Sequence, residues 1–166
     1  MHVNGSSELK NRDIVIVGQQ PWDTEIGSNC KNIALGFRKF NRVLYVNSPL
    51  DRITLYRSKN DVKTKKTIDI IKGKAVGLIP IQENLWNLYP DCMVESINWI
   101  GSTKIFNVIN KLNNKKLSKS IIKAIDTLDF KNFILFNDNE IFKGFYLTDF
   151  LKPSLSIYYS RDYMHY

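Results

Sequence analysis

A three-layer α/β fold, an open and mostly parallel sheet with helices on both faces, is what this 166-residue sequence predicts. Three observations lead there. Short runs rich in β-branched and aromatic residues recur near residues 13–17, 42–46, 132–136 and 154–159. Segments with apolar residues at helical spacing separate them. The first two runs and the helix between them also fit a βαβ unit, whose short links require parallel strands and a right-handed crossover. A chain of this length holds one domain with a full core.

Residues 1–12 are a polar extension without the apolar centre of a signal peptide, and residues 13–166 form the domain. Asp13-Ile-Val-Ile-Val-Gly18 reads as a buried strand ended by glycine. A loop broken by Pro21 and Gly27 follows, and Ser28 or Asn29 caps a helix whose inner side carries Ile33, Ala34, Phe37 and Phe40. Gly36 inside that helix is expected to mark close approach to the sheet. Arg42–Asn47 is the second strand, closed by Ser48-Pro49. Ile68–Ile71, Val76–Ile81 and Asn84–Tyr89 read as short strands around a basic loop, a hairpin-like excursion at one edge. Two helices are expected next, one with Ile105, Ile109 and Leu112 inward, the other with Leu117, Ile121, Ile125 and Leu128. Asn132–Asn137 is a third clear strand, and Asp138 or Asn139 caps a helix that ends before Pro153. Ser154–Tyr159 is the fourth. The whole pattern is Rossmann-like.

The net charge of +8 is concentrated in two places. Residues 59–74 hold six lysines against Asp61 and Asp69, and residues 111–123 hold five lysines and no acid. Either these are solvated faces, or they meet an anionic partner such as a phospholipid surface or a pyrophosphate-linked acceptor. Nucleic acid is disfavoured, because the aromatics do not interleave with the lysines and no nucleic-acid motif is present. No apolar run approaches the length of a spanning helix. Cys30 and Cys92 are far apart and match no metal or redox spacing, so a reduced, cytoplasmic setting is expected.

Ligands of open parallel sheets bind outside the carboxyl ends of the strands. Here those ends are Gly18–Gly27, Asn47–Arg52, Asn137–Asn139 and Ser160–Asp162. The sequence lacks G-x-G-x-x-G, a Walker loop and a G-x-S-x-G elbow, and no cluster has zinc spacing, so no metal site is expected. His2 and His165, the only histidines, lie at the termini. The strand ends therefore offer carboxylates, amides, an arginine and aromatic rings, a set suited to sugar hydroxyls or a polar headgroup. Gln19, Gln20, Trp22, Asp23, Ser28 and Asn29 lie together in the first loop. Trp22 is either a lid on the core or a platform for a sugar face. Arg52 and Asp162 either face a ligand or pair with each other.

Pro21-Trp22-Asp23, a helix, and then Arg42-Val-Leu-Tyr-Val-Asn-Ser-Pro-Leu-Asp-Arg52 resemble the opening of bacterial GT-B glycosyltransferases of cell-envelope polysaccharides. Phe133-Ile-Leu-Phe-Asn-Asp138 is similar to their next strand, with Asn139 in place of the usual proline. Lys152–Asp162 resembles the strand that reads Tyr-Asp-x-x-Asp there, with Ser160 at the first aspartate. The resemblance implies that this chain is the acceptor-side half of a two-domain enzyme that moves a sugar from a nucleotide-sugar donor to a glycan or lipid-linked acceptor. It implies acceptor contacts from Gln20, Trp22, Asp23, Ser28, Asn29, Arg52, Asn137 and Asp162. If the reaction inverts configuration, Asp23 or Asp138 is the base; a retaining reaction needs none. No cofactor is expected in this half, whose donor partner domain would lie elsewhere and whose edge near Tyr158–Tyr166 would invite self-association. A location on the inner membrane face goes with such acceptors. The rival reading is a non-enzymatic α/β module that uses Lys59–Lys74 and Lys111–Lys123 to hold an anionic partner.

Overall fold

A computed structural model describes residues 9–24 and 29–160. The sequence expectations for Ser28 and Asp162 lie outside the described residues.

The elements run β1 (Asp13–Gly18), α1 (Asn29–Phe37), β2 (Arg42–Val46), β3 (Leu50–Asp51), α2 (Arg52–Arg57), α3 (Val62–Ile71), β4 (Leu78–Gln82), β5 (Leu85–Leu88), β6 (Met93–Val94), α4 (Thr103–Leu128), β7 (Ile134–Asp138), α5 (Leu147–Leu151) and β8 (Leu155–Tyr159). Six strands form one sheet in the order β4-β5-β2-β1-β7-β8, and β3 and β6 form a small parallel pair. All pairs of the large sheet are parallel except β4 with β5. The parallel strands β5-β2-β1-β7-β8 follow the order 3-2-1-4-5 of doubly wound sheets, so the fold is α/β and compatible with a Rossmann-like one.

β1 lies between β2 and β7, and all six of its residues are buried, which explains its unbroken apolar run. Its side chains alternate between two cores. Val15 and Val17 join Leu44, Val46 and Leu135 beneath Leu117, Ile121 and Ile125 of α4 and Leu147 of α5. Ile14 and Ile16 join Val43, Tyr45 and Phe136 beneath Cys30 and Ala34 of α1. At the amino ends, Arg42 forks onto the Asp13 carboxylate at 2.7 Å through both Nε and Nη2. Asp13 also accepts from the Lys131 backbone N–H at 2.6 Å, tying β1, β2 and the approach to β7 together.

The structure departs from the sequence reading in several places. Residues 68–71 are the end of helix α3, not a strand, because the Asp61 carboxylate caps Lys63 and Thr64 and starts a helix through the expected basic loop. The two expected helices are one, α4, since no Gly or Pro interrupts residues 103–128. Ile105 and Leu112, expected inward, are exposed because the core-facing side of α4 is set by Leu117, Ile121 and Ile125. Asp138 caps no helix. It is the last residue of β7, and the chain after it turns irregularly until α5 begins at Leu147. Gly36 touches nothing where a Cβ would stand, so close approach does not explain it. Close approach instead accounts for Gly18, where a Cβ would lie 2.7 Å from Cys30 Sγ, and for Gly77, where it would lie 2.4 Å from the Tyr89 carbonyl oxygen.

Two stability measurements check this account. Gly36→Ala should stabilise the protein by up to about 1 kcal/mol in denaturant titration, because only helix propensity changes. Asp13→Ala should destabilise it by about 2 kcal/mol, since it strips charged hydrogen bonds from Arg42 and an amide from its acceptor.

Candidate functional site

Two adjoining clefts open at the carboxyl ends of the parallel strands. The smaller, about 230 Å³, is lined by Asp23, Asn47, Asp51, Lys63, Tyr89 and Lys143 among others. The larger, about 570 Å³, is lined by Gln19, Arg57, Glu95, Ser96, Glu140 and Phe142 among others. Ser48, Asp51, Thr54 and Lys143 line both, so the clefts are continuous. The larger adjoins the point where the strand order reverses between β1 and β7, which the Gln19 side chain bridges by donating to the Asn139 carbonyl at 2.8 Å. The smaller lies over the ends of β1, β2 and β5. A larger depression of about 730 Å³ lies at the opposite, amino end of the sheet. Its Arg42 is committed to Asp13 and its Lys131 to Asp129, so that end serves the fold.

Irregular chain makes the walls, and α4 holds it in place. Asn113 accepts from the Glu95 N–H at 2.9 Å and returns its amide to the Glu95 carbonyl at 2.8 Å. Asn114 donates to the Phe142 carbonyl and accepts from the Tyr146 N–H, both at 3.0 Å. Asn137 closes the turn after β7 by exchanging two bonds with the Glu140 backbone. Its amide is thereby spent on structure, and a Cβ on Gly144 would collide with it at 2.5 Å.

The floor of the smaller cleft carries the most informative group. Asn47, at the end of β2, is only 3% exposed. Its Oδ1 accepts from the Trp22 N–H at 2.8 Å, while its Nδ2 has no hydrogen-bond partner in the protein. A buried amide without a partner costs roughly 1–3 kcal/mol, so the enclosed Asn47 Nδ2 at the base of the cleft is short of one acceptor. Asp23 lies alongside, with Lys63 Nζ 3.7 Å from its carboxylate and 3.3 Å from its carbonyl. The Tyr89 phenol is pushed above its ordinary pKa by burial first and then by the Asp23 carboxylate, to which it hydrogen-bonds. It stays protonated at neutral pH and serves as a donor. Lys66 sits 4.1 Å over the Tyr89 ring.

Asp51 links the two clefts. Its carboxylate accepts from the Thr54 N–H and hydroxyl and from the Ser96 hydroxyl, each at 2.9 Å. Burial alone would raise its pKa, but these bonds together outweigh burial and hold it below the ordinary value of 3.8. Elsewhere, burial pushes the Cys92 thiol up to about 12, which leaves it protonated and unreactive.

The residues named from sequence are only partly brought together. Asp23 lines the cleft. Trp22 packs edge-on against Tyr45, 5.1 Å between centroids, and covers the α1-side core. Gln20 holds Tyr45 through its carbonyl at 2.7 Å, and its buried Oε1 lacks a partner. Asn29 stands in the first turn of α1, exposed and outside both clefts. Arg52 is paired with Glu95 at 2.6 Å, whereas Arg57 lines the larger cleft. Asp138 is 1% exposed and lines neither cleft. Tyr89 and Lys143 are what the sequence reading missed, while Asn47 lay in a marked strand-end segment without being singled out and Lys63 was read only as part of a basic segment. Asn47 and Tyr89 each end a parallel strand, and reading 84–89 as an edge excursion hid the second of them.

Among the described residues, no group of His, Cys, Asp and Glu has the geometry to hold a metal ion, and no helix is long and apolar enough to cross a membrane. Comparison with protein-family models, curated proteins and solved structures finds no match.

The Asp51 bonds make a pH-dependent expectation. The group's pKa is depressed on folding, so its contribution is present above the unfolded value and is lost as pH falls through the folded one. Asp51→Ala should cost about 1 kcal/mol at neutral pH through the lost cap. The gap between wild type and variant in urea titrations should narrow below about pH 4.

Proposed function

We propose that this chain is a three-layer, Rossmann-like acceptor-binding half of a glycosyltransferase, and that the cleft over Asn47, Asp23 and Tyr89 holds a hydroxyl-rich sugar acceptor. The observation that carries this reading is the unpartnered Asn47 Nδ2 in a cleft that also offers a carboxylate. A sugar hydroxyl both accepts and donates, so one hydroxyl can take the Asn47 N–H while another donates to Asp23 or Asp51. The acids are paired with cations or hydroxyls, which leaves a field of balanced charge in which neutral polar groups set orientation. The resemblance at residues 21–52 supplies the reaction class, transfer from a nucleotide-sugar donor held elsewhere.

In an inverting reaction Asp23 is the base, being accessible in the cleft where Asp138 is buried. Lys63 beside it orients the carboxylate, and Tyr89 fixes one lone pair by donation. The acceptor hydroxyl loses its proton to Asp23 as its oxygen attacks the anomeric carbon. A retaining reaction uses the same contacts for positioning alone, a contribution of roughly 7–11 kcal/mol to such barriers once the cleft is closed.

Saccharide-array screening, followed by titration of the bound glycan, tests the reading. Asn47→Asp keeps the acceptor for Trp22 N–H but removes the orphan donor, and should weaken glycan binding about tenfold or more. The chain by itself should release no nucleotide from a panel of nucleotide sugars. Turnover by this chain alone would place the donor site here and sink the assignment. Binding of nucleic acid at physiological salt, with no glycan bound, would instead favour the anionic-partner module.

A further inference from the structure

The face of α4 that points away from the sheet is a second surface of different chemistry. Helical spacing and the contacts of α4 define it. Leu117, Ile121 and Ile125 bury one side, Asn113 clasps the backbone at residue 95, and Asn114 clasps residues 142 and 146. The sector left between those flanks carries Ile105, Val108 and Leu112, exposed by 55%, 61% and 54%. Trp99, just before the helix, is 74% exposed. None of the helix residues 103–109 is buried, so these first two turns stand clear of the core. They start at the carboxyl-end side of the sheet, where Asn113 lines the larger cleft.

Lysines flank this apolar stripe. α4 carries Lys104, Lys111, Lys115, Lys116, Lys119 and Lys123, and its first acid is Asp126. Lys123 is paired with Asp91 at 2.6 Å, and Lys116 donates to the Met93 carbonyl at 3.3 Å. Lys104, Lys115 and Lys119 have no carboxylate partner among the described residues, and Lys111 lies 6.0 Å over the Tyr146 ring. An exposed apolar stripe bordered by uncompensated cations is poorly suited to water or to another basic surface. It matches the boundary between the headgroups and acyl chains of an anionic bilayer, where apolar side chains enter the interface and lysines reach the phosphates.

We infer that the outward face of α4, with Trp99, docks this protein on anionic lipid bilayers, with Ile105, Val108 and Leu112 in the interface. Docking in this way sets the carboxyl-end clefts near the lipid surface. The inference stands on α4 alone and does not need the cleft to bind a glycan.

Vesicle co-sedimentation with phosphatidylcholine alone and with phosphatidylcholine plus phosphatidylglycerol is the test, read together with tryptophan emission. Binding should require the anionic lipid and weaken with added salt. It should also shift tryptophan emission to the blue, and Trp99→Phe should remove most of that shift. Replacing Lys104, Lys111, Lys115 and Lys119 by Gln should lower the partition coefficient about fivefold per lysine. Replacing Ile105, Val108 and Leu112 by Asn should abolish binding. All seven positions are exposed, and unchanged thermal melts will show that the variants fold. Equal binding to both vesicle types, or binding indifferent to both sets of substitutions, overturns the inference. So does lipid-free self-association that the Asn variant abolishes, which would make the face a contact between copies of the chain.

Discussion

A peptide group packed away from water must find a partner, and two irregular stretches of this chain find theirs on a single helix. Asn113 and Asn114, adjacent on α4 and about 100° apart around its axis, clasp residue 95 and residues 142 and 146 respectively. α4 is anchored one to three turns later by Leu117, Ile121 and Ile125 against β1, β2 and β7. The two loops are thereby held in fixed relation to the strand ends. Without that clasp, neither wall of the larger cleft would have a defined position, because residues 95–98 and 140–143 belong to no ladder of the main sheet. The continuity of α4 past residue 112 is therefore what makes a cleft from a sheet and two loops.

The same helix divides the molecule electrostatically. On the cleft side, acids and cations are interleaved: Asp23 with Lys63, Glu95 with Arg52, and Asp51 with hydroxyl donors and the field of Lys143. Charges paired in this way attract little at a distance and leave orientation to directional groups such as Asn47 Nδ2 and the Tyr89 hydroxyl. On the outward side of α4, Lys104, Lys115 and Lys119 stand without acid partners among the described residues, and their field reaches about a Debye length into solvent.

The legible parts of the fold were those where one periodicity ruled. Asp13–Gly18 and Arg42–Val46 stand out because strands buried on both faces need continuous β-branched runs. The third strand was placed two residues early, since Phe133 looks like strand but Asn132 before it takes a left-handed turn at φ 44°. α3 was hidden by Ile68-Asp-Ile-Ile71, whose β-branched residues imitate a strand although Asp61 caps a helix upstream. At the site, Asp23 was legible as a polar residue in a loop after the first strand. Asn137 was misleading for the same reason, because its amide closes its own turn.

The sequence by itself determined the alternation of the main strands with helices, the two basic segments and the strand-end loops from which the two adjoining clefts are partly built, because each depends on composition within a few residues. Only the tertiary structure decided which strand-end groups meet. Asn47 and Tyr89 are separated in sequence by β3, α2, α3, β4 and β5, and they share a cleft because β5 pairs with β2. Whether an amide has a partner likewise depends on atoms contributed by distant segments. Asn113 and Asn137 are satisfied by loop backbone, while Asn47 has one bond to Trp22 and a second group left open. Identical side chains thus acquire different roles through long-range packing, which local sequence does not encode.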